Sequence, residues 1–156
     1  MVKDEEGFYR VTLGRYGTES VHKYKLWPLE QDVLTKIQER ADRGLLCGEF
    51  GLPGQVVGEY MDNKQFLSRF LLIKEDNVAC QYKDIQVHSF NSLQIVTAKM
   101  KPAGPHADGL QYIIDQGKET LVFGHRAMMK AGSGGQHIET IVTWDIVKMK
   151  EQPTTA

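Results

Sequence analysis

The sequence predicts an α+β domain, on three observations. One segment behind a proline carries apolar residues at helical spacing. Several others are rich in β-branched and aromatic residues and are bounded by turn formers. At 156 residues the chain has the length of one domain with one core, read as residues 1–150 with a loose polar tail over 151–156.

Taken in order, Phe8 to Leu13 reads as a strand, broken by Gly14 and Gly17. Pro28 opens the clearest helix, in which Leu29, Val33, Leu34, Ile37 and Ala41 share one face. Glu30 and Asp32 suit its positive end, and Gly44 lies just past the other. The stretch from Gly48 to Gly58, with Gly51, Pro53 and Gly54 between, reads as a loop. Phe66 to Lys74 and Val78 to Val87 read as strands around a turn at Glu75-Asp76-Asn77, and Ser92 to Met100 as another. Asp108 to Gln116 reads as a short helix stopped by Gly117. Glu119 to Met128 and His137 to Met149 close the chain as a hairpin across Ala131 to Gly135. No lysine followed by serine or threonine accompanies those glycines, so they read as a loop and not a phosphate cradle.

Composition excludes several functions. A net charge of -1 offers no clustered excess of Lys and Arg for phosphates, so no nucleic-acid partner is expected. No apolar run approaches the roughly 20 residues that span a bilayer. The charged start, Met1-Val2-Lys3-Asp4-Glu5-Glu6, has no apolar stretch behind it, so neither a secretion nor a membrane signal is expected. Cys47 and Cys80 form no metal-ligand spacing and read as small buried side chains in a reducing compartment. No cofactor and no metal are expected. A metal site from His125 and His137, facing across the last hairpin, is a minor alternative.

Four stretches occur in a telling order: Val21 to Leu34, with His22-Lys23-Tyr24-Lys25-Leu26-Trp27-Pro28 leading into the helix; Gly48-Glu49-Phe50-Gly51-Leu52-Pro53; Lys101-Pro102-Ala103-Gly104 followed by a helix and Leu121-Val122-Phe123-Gly124-His125-Arg126-Ala127; and Ile141-Val142-Thr143-Trp144-Asp145-Ile146-Val147. Together they resemble the prohead (capsid-maturation) proteases of tailed bacteriophages. In that family the second stretch is commonly Gly-Glu-Leu-x-His-Pro, the third ends in Ser-x-Arg or Ser-Ser-Arg, and the fourth follows Phe-Asp-x-Val. The resemblance covers roughly residues 20 to 149. It implies a strongly bent β-barrel core with helices around it, similar to the herpesvirus assembly proteases, and a location in the host cytoplasm or the virion.

The departures fall on the chemistry. A serine peptidase needs a hydroxyl, a histidine within hydrogen-bond reach to deprotonate it, and donors for the oxyanion. The histidine position here is Leu52; the serine position is Gly124, or His125 if the register slips by one. Arg126 and Asp145 match family positions but have no nucleophile to serve. The simpler reading of Arg126 is a pair with a carboxylate such as Glu49 or Asp145. His88 and Ser89 are adjacent and would point to opposite faces of a strand, and Ser133 sits in the glycine loop, so no relocated pair stands out.

The leading expectation is a pseudo-protease that acts by binding protein, a capsid or scaffold component or a host target, with self-association left open. No catalytic residue is expected. The expected cleft is Glu49, Phe50, Leu52, Phe123, Gly124, His125, Arg126 and Asp145, with the strand from Leu121 to Met128 as one wall and the loop from Gly48 to Gly58 as the other. Two alternatives stand beside it. One is a small-anion or nucleotide-like ligand held by Arg126 in the vacated cleft; the other is an active peptidase with relocated residues.

Overall fold

The computed structural model describes residues 1–18, 20–21, 24–51, 63–117, 119–132 and 135–151. The chain runs β1 (Tyr9–Gly17), β2 (Ser20–Val21), β3 (Tyr24–Lys25), α1 (Gln31–Asp42), β4 (Cys47–Glu49), α2 (Asn63–Leu71), β5 (Val78–Phe90), β6 (Leu93–Pro102), α3 (Ala107–Gln116), β7 (Glu119–Gly132) and β8 (Gly135–Glu151). The expected α+β class with a bent antiparallel sheet is what folds: among the described residues three helices accompany a half-barrel.

Four strands pair antiparallel in the order β1-β6-β5-β4, and β7 pairs with β8 in a long hairpin. Bulges bend this framework. One between Thr12 and Gly14 kinks β1 against β6, and another between Lys83 and Gln86 kinks β5. At the second bulge Asp84 takes φ 53°, and Arg10 holds its carboxylate at 2.6 Å. Beyond β4 the chain crosses to the hairpin, where Phe50 bridges Ile146 in parallel and the Gly51 amide donates to the Ile146 carbonyl at 2.7 Å. Residues 47–51 thus join the sheet to the hairpin.

The core lies between the concave face and α1. Val33, Leu34, Ile37 and Ala41 of the helix meet Tyr82 and Ile85 of β5, and Ile138, Ile141, Trp144 and Ile146 of β8 close the other side. From the β1 side Val11 and Leu13 enter the same cluster. The expected helical face is therefore the buried face. The helix itself begins at Gln31 with Glu30 as its N-cap, so Pro28 leads into it without belonging to it.

Two assignments are corrected. Gly14 does not end the first strand; it sits at the bulge, and β1 continues to Gly17. The segment expected as a strand from Phe66 to Lys74 is α2 over most of its length. Its apolar residues recur four apart, Phe66 with Phe70 and Leu67 with Leu71, and no β-branched residue occurs before Ile73. A dense apolar run hides that helical period. The other boundaries shift by a few residues: β7 and β8 extend to Gly132 and from Gly135, and Gly117 caps α3 with φ 66°. Leu52 to Gly58 of the expected loop, Ser133 and Gly134, and the tail from Gln152 onward lie outside the described residues.

Candidate functional site

The site begins with a glycine. Gly48 pairs with Cys80 on β5 while β8 passes over it; a Cβ there would lie 2.7 Å from the Trp144 carbonyl oxygen and 2.7 Å from the Tyr82 hydroxyl. The missing side chain lets three strands approach, and Tyr82 donates to that same carbonyl at 2.7 Å. Glu49, the next residue, then enters the interior with its side chain fully buried.

Around it a set of charges assembles. Arg126 of β7 donates from Nη2 to Glu49 Oε2 at 2.7 Å, and from Nε and Nη2 to the two Asp145 oxygens at 2.7 and 3.0 Å. Its Nη1 reaches the Leu72 carbonyl at 3.0 Å, at the C-terminal end of α2, where the last helical carbonyls have no partner within the helix. Arg69 of α2 grips Glu49 through both terminal nitrogens, and the Lys74 amide and Asn77 Nδ2 add hydrogen bonds at 3.0 Å. The Glu49 amide donates to Asp145 Oδ1 at 3.2 Å. Among the described residues two arginines thus meet two carboxylates, and side-chain exposure is 0% for Arg126, Glu49 and Asp145.

The protonation states follow from these contacts. Burial pushes the Glu49 carboxyl up, but hydrogen bonds from Arg69, the Lys74 amide, Asn77 and Arg126 outweigh it and hold the group at about 2. Burial raises the Asp145 carboxyl, and the Arg126 pair pulls against that rise. Arg126 is thus a structural tie between β7, β8, β4 and the end of α2. This is the carboxylate pair anticipated as the simpler reading of the residue.

The remaining site residues sit around this cluster. Gly124 pairs with Asp145 in the hairpin register, and a Cβ on it would lie 2.8 Å from Val147 Cγ1. Phe123 is half-buried, with its ring edge-on to Tyr82 at 6.2 Å. Half-buried Phe50 packs edge-on to the exposed His106 ring at 5.5 Å. His125 is half-buried on the side facing β1, with Nδ1 at 2.8 Å from the Tyr16 hydroxyl. Trp144 Nε1 donates to that hydroxyl at 3.2 Å, and the hydroxyl can donate on to His125 Nδ1 when the neutral ring carries its proton on Nε2. Burial lowers the His125 pKa and reinforces that state. Leu52 lies outside the described residues.

The chemistry this arrangement offers is electrostatic and structural. Among the described residues no serine hydroxyl is hydrogen-bonded to a histidine, and His22 and Ser133 fall outside them. The metal alternative is corrected by register: His125 stands opposite Trp144 and His137 opposite Lys130, so the two do not face each other. No group of three metal-ligating side chains occurs among the described residues. Cys80 is buried and Cys47 half-buried; both are free, and burial pushes the Cys80 thiol up to about 12, far from a thiolate at neutral pH.

Four contributors were not anticipated. Arg69 looked like one charge in an apolar strand; on a helix it lies on the side opposite Leu67 and Leu71 and turns inward to Glu49. Lys74 and Asn77 contribute through a backbone amide and a turn side chain, contacts that leave no residue-type signal. Tyr16 could be placed beside His125 only once the bulge at Gly14 carried β1 past the hairpin.

A half-barrel that brings β4, β7 and β8 together around one buried arginine is compatible with the bent fold that the resemblance implies. Comparison with family models agrees: residues 1–151 match the Peptidase S80 family, the prohead or capsid-maturation proteases, and the chain belongs to it. No curated protein and no solved structure matches the chain. No helix among the described residues is long and apolar enough to cross a membrane.

Proposed function

We propose that this capsid-maturation-protease-like protein is a non-catalytic member of its family that acts by binding a protein partner, in head or scaffold assembly or on a host target. The observation that carries the reading is residue 124. The resemblance puts the serine there, or at His125 if the register slips by one; neither is a hydroxyl, and Val147 occupies the space a side chain on residue 124 would need. Leu52 at the histidine position removes the base as well. The charges of Glu49, Arg126 and Asp145 are spent on one another, so their part is to hold the wall of the cleft rather than to touch a ligand. Contact then falls to the half-buried Phe50, Phe123 and His125, beside the edge of the last hairpin. An extended segment laid there needs main-chain hydrogen bonds and side-chain pockets but no nucleophile.

The test is stoichiometric co-purification of the tagged chain with one protein from its source cells, together with failure to cleave that protein. An anion held by Arg126 is the less favoured reading, because the guanidinium already meets two carboxylates.

A further inference from the structure

Outside the cleft, one cavity combines charge with apolar surface. It lies between α1 and β8, has a volume of about 280 Å³, and is lined by Val33, Lys36, Ile37, Glu39, Arg40, Arg43, Thr140 and Ile141. Val33, Ile37 and Ile141 are core residues and form an apolar floor. Above them three cations meet one carboxylate, that of Glu39.

Arg40 is the decisive group. Among the described residues the buried or half-buried arginines are Arg40, Arg69 and Arg126. The latter two are paired with carboxylates. Arg40 instead donates from Nη1 to the Ile141 carbonyl at 3.2 Å, and no ion pair joins it to a carboxylate among those residues. Burial disfavours its charged form, and an arriving anion would offset that cost. Position near the C-terminal end of α1 accounts for the sign of Arg40 and Arg43 through the helix dipole. It does not account for a solvent-open cavity with an apolar floor beneath a half-desolvated guanidinium.

We propose that this cavity is a binding site for a small carboxylate with a short apolar tail. The planar guanidinium offers paired N–H donors that match a carboxylate, Lys36 and Arg43 add charge at the rim, and the tail lies over the nearly closed floor of Val33, Ile37 and Ile141. The size is at the small end of ligand sites. At about 30 Å³ for each water-sized group it holds roughly nine such groups, close to a six-carbon acid. The site is separate from the cleft and does not depend on whether the chain cleaves peptides.

The experiment is a titration of the full chain, followed by methyl and Arg Nε–H NMR, with hexanoate, hexanol, inorganic phosphate and a capped peptide containing Leu-Glu. The expected result is saturable shifts at Ile37, Ile141 and Arg40 with hexanoate, and at least tenfold weaker effects with the other three. Arg43→Gln, on the exposed rim, and Arg40→Gln should each weaken hexanoate about tenfold while leaving hexanol unchanged. Arg43→Gln keeps the test decisive if Arg40→Gln fails to fold. Equal binding of hexanoate and hexanol, indifference to Arg43→Gln, or absence of saturable shifts overturns the site. Binding of the peptide in preference to hexanoate overturns the small-molecule assignment.

Discussion

Gly124 and Val147 stand so close on one face of the last hairpin that no side chain fits between them: a Cβ on residue 124 would lie 2.8 Å from Val147 Cγ1. Valine is stiff about χ1 and cannot swing away cheaply. Gly124→Ser should therefore destabilise the chain by about 1–3 kcal/mol, as overpacking does, measured by urea unfolding. Val147→Ala in the same chain should recover most of the loss. Two additive effects would show that the contact is not the cause.

Arg126 meets Glu49, Asp145 and the Leu72 carbonyl with its side chain wholly buried. Removing one partner of such a set leaves buried charge without compensation. Arg126→Ala should cost about 3–5 kcal/mol. Arg126→Lys should fall between Ala and the parent, since an ammonium cannot span two carboxylates as a guanidinium does. Thermal unfolding orders the three proteins, and a lysine variant as stable as the parent contradicts the geometry.

Glu49 sets a pH dependence with a definite sign. Its carboxyl falls from an ordinary value of 4.5 to about 2 in the fold, so as the pH drops the unfolded chain takes up this proton first. The stability it contributes is complete above pH 4.5 and is lost as the pH falls toward 2. Asp145, raised by burial, has the opposite sign, its contribution being lost as pH rises through its folded value. Urea midpoints compared between parent and Glu49→Gln should therefore converge on acidification from pH 6 to pH 3. A gap that stays constant would mean Glu49 is not held down.

Phe50 tests the proposed contact surface. Arg126 is unsuitable as a probe because its loss threatens the fold, whereas half-buried Phe50 packs against exposed His106. With a captured partner, Phe50→Ala should weaken binding by about 1–3 kcal/mol if it lies centrally in the interface. Parent-like affinity in a folded variant would place the interface elsewhere. The outward side of α2 is then the next surface to probe, since Leu67 and Leu71 are 49% and 42% exposed there.

Much of this was legible in the residues, and unevenly. The helix around Val33, Leu34, Ile37 and Ala41 was readable because one periodic face is buried against one core. The hairpin of β7 and β8 was readable from two β-rich runs flanking a glycine loop. α2 was not, because apolar residues at nearly every position erase the difference between periods of 2 and 3.6. In the site, a carboxylate partner for Arg126 could be named because a buried arginine needs one. Arg69 and the Lys74 amide could not, because their approach to Glu49 depends on the crossing of β4 to β8. The crowding of Gly124 by Val147 also belongs to register alone.

Serine-directed fluorophosphonate labelling of the intact protein tests whether the chain keeps any peptidase chemistry. No serine should be labelled. None should be labelled when Leu52→His and Gly124→Ser are introduced together, because Val147 occupies the space and the supporting contacts serve structure instead. A defined serine that labels in the parent, and loses its label on mutation to alanine together with cleavage of a peptide substrate, would contradict the non-catalytic reading.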